Sequence, residues 1–132
     1  MKIRTVKVFV VEDSPAVRNR LVAMLGTVPG VAVAGEADSV HTATAGVLAA
    51  AVDVILLDLQ LLDGSGLDVL AQVKPVRPDI RVIVLSNLAT PQYREASLAA
   101  GADVFLDKSH DFGRVPEILR GWLAAPEAAP IR

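Results

Sequence analysis

VDVILLD, residues Val52 to Asp58, is a nearly continuous aliphatic run that ends on a carboxylate. Strands buried on both faces read in this way, and they belong to parallel sheets covered on both sides. Three further runs share the pattern: KVFVVED from Lys7 to Asp13, RVIVLS from Arg81 to Ser86, and ADVFLDK from Ala102 to Lys108. In a parallel sheet all carboxyl ends lie along one edge, so Glu12, Asp13, Asp58, Ser86 and Lys108 are expected to meet there. Three carboxylates in one crevice repel each other without a cation. A divalent metal and a phosphoryl ligand suit that chemistry.

Between the runs the period changes to that of a helix. Val17, Leu21 and Met24 mark the first helix. Val40, Ala43, Val47 and Leu48 mark the second, with Ser39 as its N-cap. Leu67, Leu70 and Ala71 mark a third after the loop Asp63-Gly64-Ser65-Gly66. A fourth is expected over Pro91–Ala100, with Pro91 in its first turn and Gly101 at its C-terminal cap. Val115, Ile118, Leu119, Trp122 and Leu123 mark the fifth. With a short strand at Val31–Gly35, VAVAG, strand and helix alternate five times. This predicts an α/β fold, a doubly wound five-stranded parallel sheet with helices on both faces and right-handed crossovers.

A chain of 132 residues suits one domain. We expect it to span residues 1–124, followed by a loose Pro/Ala tail over 125–132. Hydrophobic residues make up 52% and aromatics only 4%, so the core is aliphatic. The net charge of −2, without clustered Lys/Arg and interleaved aromatics, speaks against direct nucleic-acid binding. There is no cysteine, which excludes disulfides and thiolate metal sites. Glu12 and Asp13 interrupt the first apolar run before a signal-peptide core is complete, and no stretch approaches the ~18 apolar residues of a membrane helix. The expectation is a soluble cytoplasmic protein with no membrane insertion.

In open sheets of this kind ligands bind beyond the carboxyl ends of the strands, where strand order reverses. The residues placed there resemble those of the receiver domain of two-component response regulators, over about Lys7 to Leu123. The resemblance implies a flavodoxin-like fold with strand order 2-1-3-4-5. It implies that Glu12 and Asp13 help hold Mg²⁺, that Asp58 accepts the phosphoryl group, and that Ser86 and Lys108 contact the phosphoryl oxygens. The Gln60 backbone carbonyl completes the metal's protein ligands by the same resemblance, and Phe105 matches the family's switch aromatic. The implied partners are a sensor histidine kinase or histidine phosphotransfer protein and an unidentified downstream protein, and a homodimer is compatible with the pattern.

Taken singly, each of these residues has a plainer reading. A carboxylate after a strand is usually a turn or cap residue, Ser86 an ordinary loop hydroxyl, Lys108 a solvated charge and Phe105 plain core. The joint pattern reverses that weighting, because independent turn residues have no reason to bring complementary chemistry to four strand ends. His41 and His110 lack partners at ligand spacing and read as surface residues, and Gly64 and Gly66 read as turn chemistry. Leu62, Asn87 and Ser109 depart from the family's commoner Pro, Ala or Gly, and Pro. Ser109 favours a trans bond after Lys108, since a non-proline cis bond costs ~3 kcal/mol.

The function expected is a stand-alone phosphoacceptor switch, not an enzyme acting on other molecules. One rival is a docking module that keeps the fold without phosphorylation. The other is a phosphatase of the haloacid dehalogenase type. That type wants a second Asp two residues after the nucleophile, where this chain has Gln60.

Overall fold

The computed structural model describes residues 5–124. Five strands, β1 (Val6–Val11), β2 (Val31–Ala37), β3 (Val54–Leu57), β4 (Arg81–Ser86) and β5 (Val104–Asp107), form one sheet. All of its pairings are parallel, in the order β2-β1-β3-β4-β5. Five helices alternate with them: α1 (Pro15–Leu25), α2 (Val40–Ala49), α3 (Gly66–Val73), α4 (Pro91–Ala99) and α5 (Val115–Ala124). The expected fold class and strand order are both found. No helix among the described residues is long and apolar enough to cross a membrane. The expected loose tail, 125–132, lies outside the described residues.

The aliphatic runs are continuous because successive residues feed two separate cores. Phe9, Val11, Ile55, Leu57, Val82, Val84 and Phe105 pack on one face with Val40, Ala43, Val47, Val69, Leu70 and Val73 of α2 and α3. Val8, Val10, Val54, Leu56, Ile83, Leu85 and Leu106 pack on the other with Leu21, Leu25, Val115 and Leu119 of α1 and α5. Alternation is thus present in β1, β3, β4 and β5 but invisible in hydropathy, since both sides are apolar.

Several boundaries differ from the sequence reading. β2 continues to Ala37, two residues past the expected end, because β1 pairs with it along its length. That pairing shifts between Val8 and Phe9, which lie opposite Val33 and Gly35, leaving Ala34 unpaired. The Phe9 ring fills this region so closely that a Cβ on Gly35 or Gly46 would stand 2.6 Å from it. Leu48 and Ala71, read as core-facing, are exposed. α3 buries Leu70 as expected, with Val69 and Val73 beside it.

The N-termini follow elementary capping chemistry. Ser39 Oγ accepts from Thr42 N–H at 3.1 Å as expected, and Ser14 and Thr90 cap α1 and α4, each followed by a first-turn proline. Ser65 and Asp68 form a reciprocal capping box at the start of α3. Gly101 follows α4 at φ 113°, a left-handed conformation that favours glycine. The Lys74 side chain passes directly beneath it. No peptide bond in the described residues is cis, so the bond after Lys108 is trans.

Candidate functional site

The β1, β3 and β5 strands end on one edge of the sheet, and the backbone ladder fixes the residues just beyond β1 and β3. Glu12 N–H donates to the Ala37 carbonyl at 2.9 Å and Asp58 N–H to the Val11 carbonyl at 3.0 Å, each extending the pairing one step. Glu12 and Asp58 are thereby buried at 1% and 4% exposure, while Asp13 is half-buried. Glu12, Asp13 and Asp58 each present a carboxylate oxygen within 4.8 Å of the others. Such a set of hard oxygens fits a small divalent cation.

One ammonium enters the cluster from β5. Lys108 Nζ lies 2.8 Å from Glu12 Oε1 and 2.9 Å from Asp58 Oδ2, bonded to both. Burial is the largest influence on Glu12 and raises its carboxyl above 4.5; hydrogen bonds from Lys108 and the Ser14 N–H oppose it, and the Asp58 charge adds to the rise. Burial works against charge on Lys108, but Glu12 and Asp58 together outweigh it and hold the ammonium above its ordinary 10.5. Three carboxylates against one ammonium leave the crevice negative. It is ready for more positive charge.

The remaining expected residues are placed unevenly. Gln60 N–H donates to Asp58 Oδ1 at 3.3 Å, so its backbone lies over the carboxylate. It opens a two-residue hairpin, Gln60–Leu61 with Gly64–Ser65, that the sequence reading did not include. Ser86 ends β4 fully buried, and its Oγ accepts from Leu88 N–H at 3.1 Å. Phe105 is 4% exposed in the core, with the Arg94 guanidinium carbon 5.0 Å from its ring centroid. The ring already lies inside, packed in the core on the α2 and α3 side of the sheet with Arg94 of α4 over it.

Other residues hold the site in ways the sequence reading did not assign, Gly66 having been read only as turn chemistry. Gly66 is required by close approach: a Cβ there would collide with the Asp58 carbonyl oxygen, so α3 starts against the Asp58 peptide. Asp63 reaches across to accept from the N–H groups of Val40 and His41, fastening the loop after Asp58 to the start of α2. Those bonds, that from Val40 above all, hold the Asp63 carboxyl below 3.8. Arg18 Nη1 donates to the Glu12 carbonyl at 2.8 Å. Lys108 itself begins a helical turn, Lys108–Asp111, in which Asp107 accepts from Ser109 N–H. His41 and His110 are on the surface as expected, although His110 Nδ1 stands 3.1 Å from Asp107 Oδ2.

The family model described as the response regulator receiver domain matches residues 8–120. The chain belongs to the response regulator receiver family. Among curated proteins this receiver is 39% identical over 103 residues to the DNA-binding transcriptional activator DevR/DosR of Mycobacterium tuberculosis, covering 78% of this chain and 48% of that protein. It is 36% identical over 94 residues to the protein-glutamate methylesterase/protein-glutamine glutaminase of Rhizobium etli, covering 71% of this chain and 26% of that enzyme. The chain thus spans about half or less of the length of these two relatives. Among solved structures, the signal receiver domain of the response regulator NarL from M. tuberculosis superposes with a TM-score of 0.81 at 28% identity, covering 93% of this chain and 99% of that one. The response regulator domain of Thermotoga maritima CheB gives 0.74 at 27% identity, with 91% and 94% covered.

Proposed function

We propose that this receiver takes a phosphoryl group onto Asp58 from a phosphohistidine of a sensor kinase or histidine phosphotransfer protein, with Mg²⁺, and that the modified form binds a downstream protein with altered affinity. The observation that carries the reading is the buried Asp58 carboxylate, bonded by Lys108 at 2.9 Å and grouped with Glu12 and Asp13. In the transfer an Asp58 carboxylate oxygen forms a bond to phosphorus while the phosphorus–nitrogen bond of the donor breaks. The electron pair returns to the donor imidazole. A carboxylate is a weak nucleophile, so the protein contributes chiefly position and charge.

Glu12, Asp13, Asp58 and the Gln60 carbonyl are the groups that would hold Mg²⁺, which when bound neutralises charge on the phosphoryl oxygens. Lys108 keeps its proton at neutral pH and adds a positive charge on the same side. Ser86 Oγ would exchange the Leu88 N–H for a phosphoryl oxygen, a change that reaches the segment leading into α4. The same residues promote loss of the group to water, so the protein acts catalytically only on itself. A haloacid dehalogenase-type reaction draws no support, since Gln60 presents an amide where that chemistry needs a carboxylic acid. Activities named for the longer relatives are not assigned to these residues, and the proposed setting is the cytoplasm, where the donor kinases present their histidines.

The test is incubation with acetyl phosphate with and without Mg²⁺, followed by intact mass. One added phosphoryl group that requires Mg²⁺ supports the proposal. An unchanged mass in saturating Mg²⁺ overturns it in favour of a phosphorylation-independent docking module.

A further inference from the structure

Two exposed residues next to the site are joined to each other. Ser109 Oγ donates to Asn87 Oδ1 at 3.3 Å, linking the residue after Ser86 to the residue after Lys108. Backbone pairing of β4 and β5 ends at Ser86 opposite Asp107, so this bond carries the connection past the end of the ladder. Ser109 is held from a second side by its N–H, which donates to Asp107 Oδ1 at 2.9 Å. Asp107 N–H donates to Asp111 Oδ2 at 3.0 Å, so the turn that carries Lys108 is tied at both ends.

We propose that Asn87 and Ser109 form a clasp that positions the Asp58 phosphoryl group and limits the approach of water to it, so that the pair sets the lifetime of the phosphorylated form. The inference rests on the reading that Asp58 is the acceptor. Its physical content is geometric: Ser86 and Lys108 are the two groups assigned to the phosphoryl oxygens, and the clasp joins the residues immediately after them. In hydrolysis a water oxygen forms the new bond to phosphorus as the bond to the Asp58 carboxylate oxygen breaks. The electron pair stays on the carboxylate, and the water's proton passes to the released phosphate or to solvent. A solvent-exposed hydrogen bond contributes little to stability, so the clasp should be visible in this rate and nearly absent from folding.

The experiment monitors loss of the phosphoryl mass after labelling with acetyl phosphate and removal of the donor. It compares wild type with Asn87→Ala, Ser109→Ala, the double variant and Ser109→Thr. Each alanine should speed the loss about fivefold, the double variant should lose it no faster than either single one, and Ser109→Thr, which keeps the hydroxyl, should restore the wild-type rate. Unchanged rates, single effects that multiply in the double variant, or a threonine variant that behaves like alanine would overturn the clasp. A wild type that takes no label in saturating Mg²⁺ overturns the acceptor assignment and the clasp together. A labelled wild type with independent single effects removes the clasp alone.

Discussion

Lys108 and Asp58 meet at 2.9 Å although 50 positions separate them in the chain, and the meeting is made by β3 and β5 ending on the same edge of the sheet. The same ammonium is bonded to Glu12. Two buried carboxylates therefore depend on one cation, and removing it leaves charge without compensation.

Lys108→Ala should lower stability by about 3 kcal/mol at pH 7, the scale expected when a buried pair loses one member. The Lys108 contribution is complete below its ordinary 10.5 and is lost only as pH climbs through its raised folded value, so neutral pH reads all of it. Glu12 starts with a raised carboxyl, and losing Lys108 raises it further. Below 4.5 Glu12 is protonated in both folded and unfolded protein, so the deficit should shrink as pH falls toward that value. Urea denaturation from pH 4.5 to 7 checks this; a deficit that grows toward pH 4.5 would contradict it.

Asp13 supplies an oxygen to the carboxylate cluster yet is half-buried and makes no part of either core. Asp13→Ala should weaken Mg²⁺ binding on the order of tenfold, about 1.4 kcal/mol, without lowering the denaturation midpoint in EDTA. Isothermal titration with Mg²⁺ measures the first quantity. An unchanged affinity would remove Asp13 from the site.

Gly66→Ala should be costly for a reason of space, since the new methyl meets the Asp58 carbonyl and the Leu57 side chain. Overpacking of that kind costs about 1–3 kcal/mol, and here it also pushes on the peptide of the proposed acceptor. Chemical denaturation should show the loss. A variant as stable as wild type would mean that α3 can shift away from Asp58.

The strands and their carboxyl ends are legible in the sequence because aliphatic runs are long and the chemistry-bearing residues interrupt them at their ends. Glu12, Asp58 and Lys108 need only the inference of a parallel sheet to be brought together. In α3 Leu70 is buried as expected with Val69 and Val73 while Ala71 is exposed, and the helix starts at the capping box of Ser65 and Asp68. That box is readable as a Ser and an Asp three residues apart. Asp63 is not, because its partners Val40 and His41 lie more than twenty positions away in another element. The cover that Arg94 places over Phe105 likewise depends on how α4 settles against β5, which no local pattern encodes.

Ser86 tests how the site reaches the surface. Its hydroxyl faces Leu88 N–H, so turning toward a phosphoryl group must release that amide. Ser86→Ala should still bind beryllofluoride with Mg²⁺ at Asp58, yet lose most of the NMR shift response over residues 88–108. A full response there would make the hydroxyl a bystander and move the coupling to Lys108.

The central claim, that Asp58 is the phosphoacceptor, is tested most directly by intact mass of wild type and Asp58→Asn after acetyl phosphate and Mg²⁺. The wild type should gain one phosphoryl group and Asp58→Asn none, with the variant's circular dichroism unchanged. A variant that gains the group as readily as wild type would contradict the assignment.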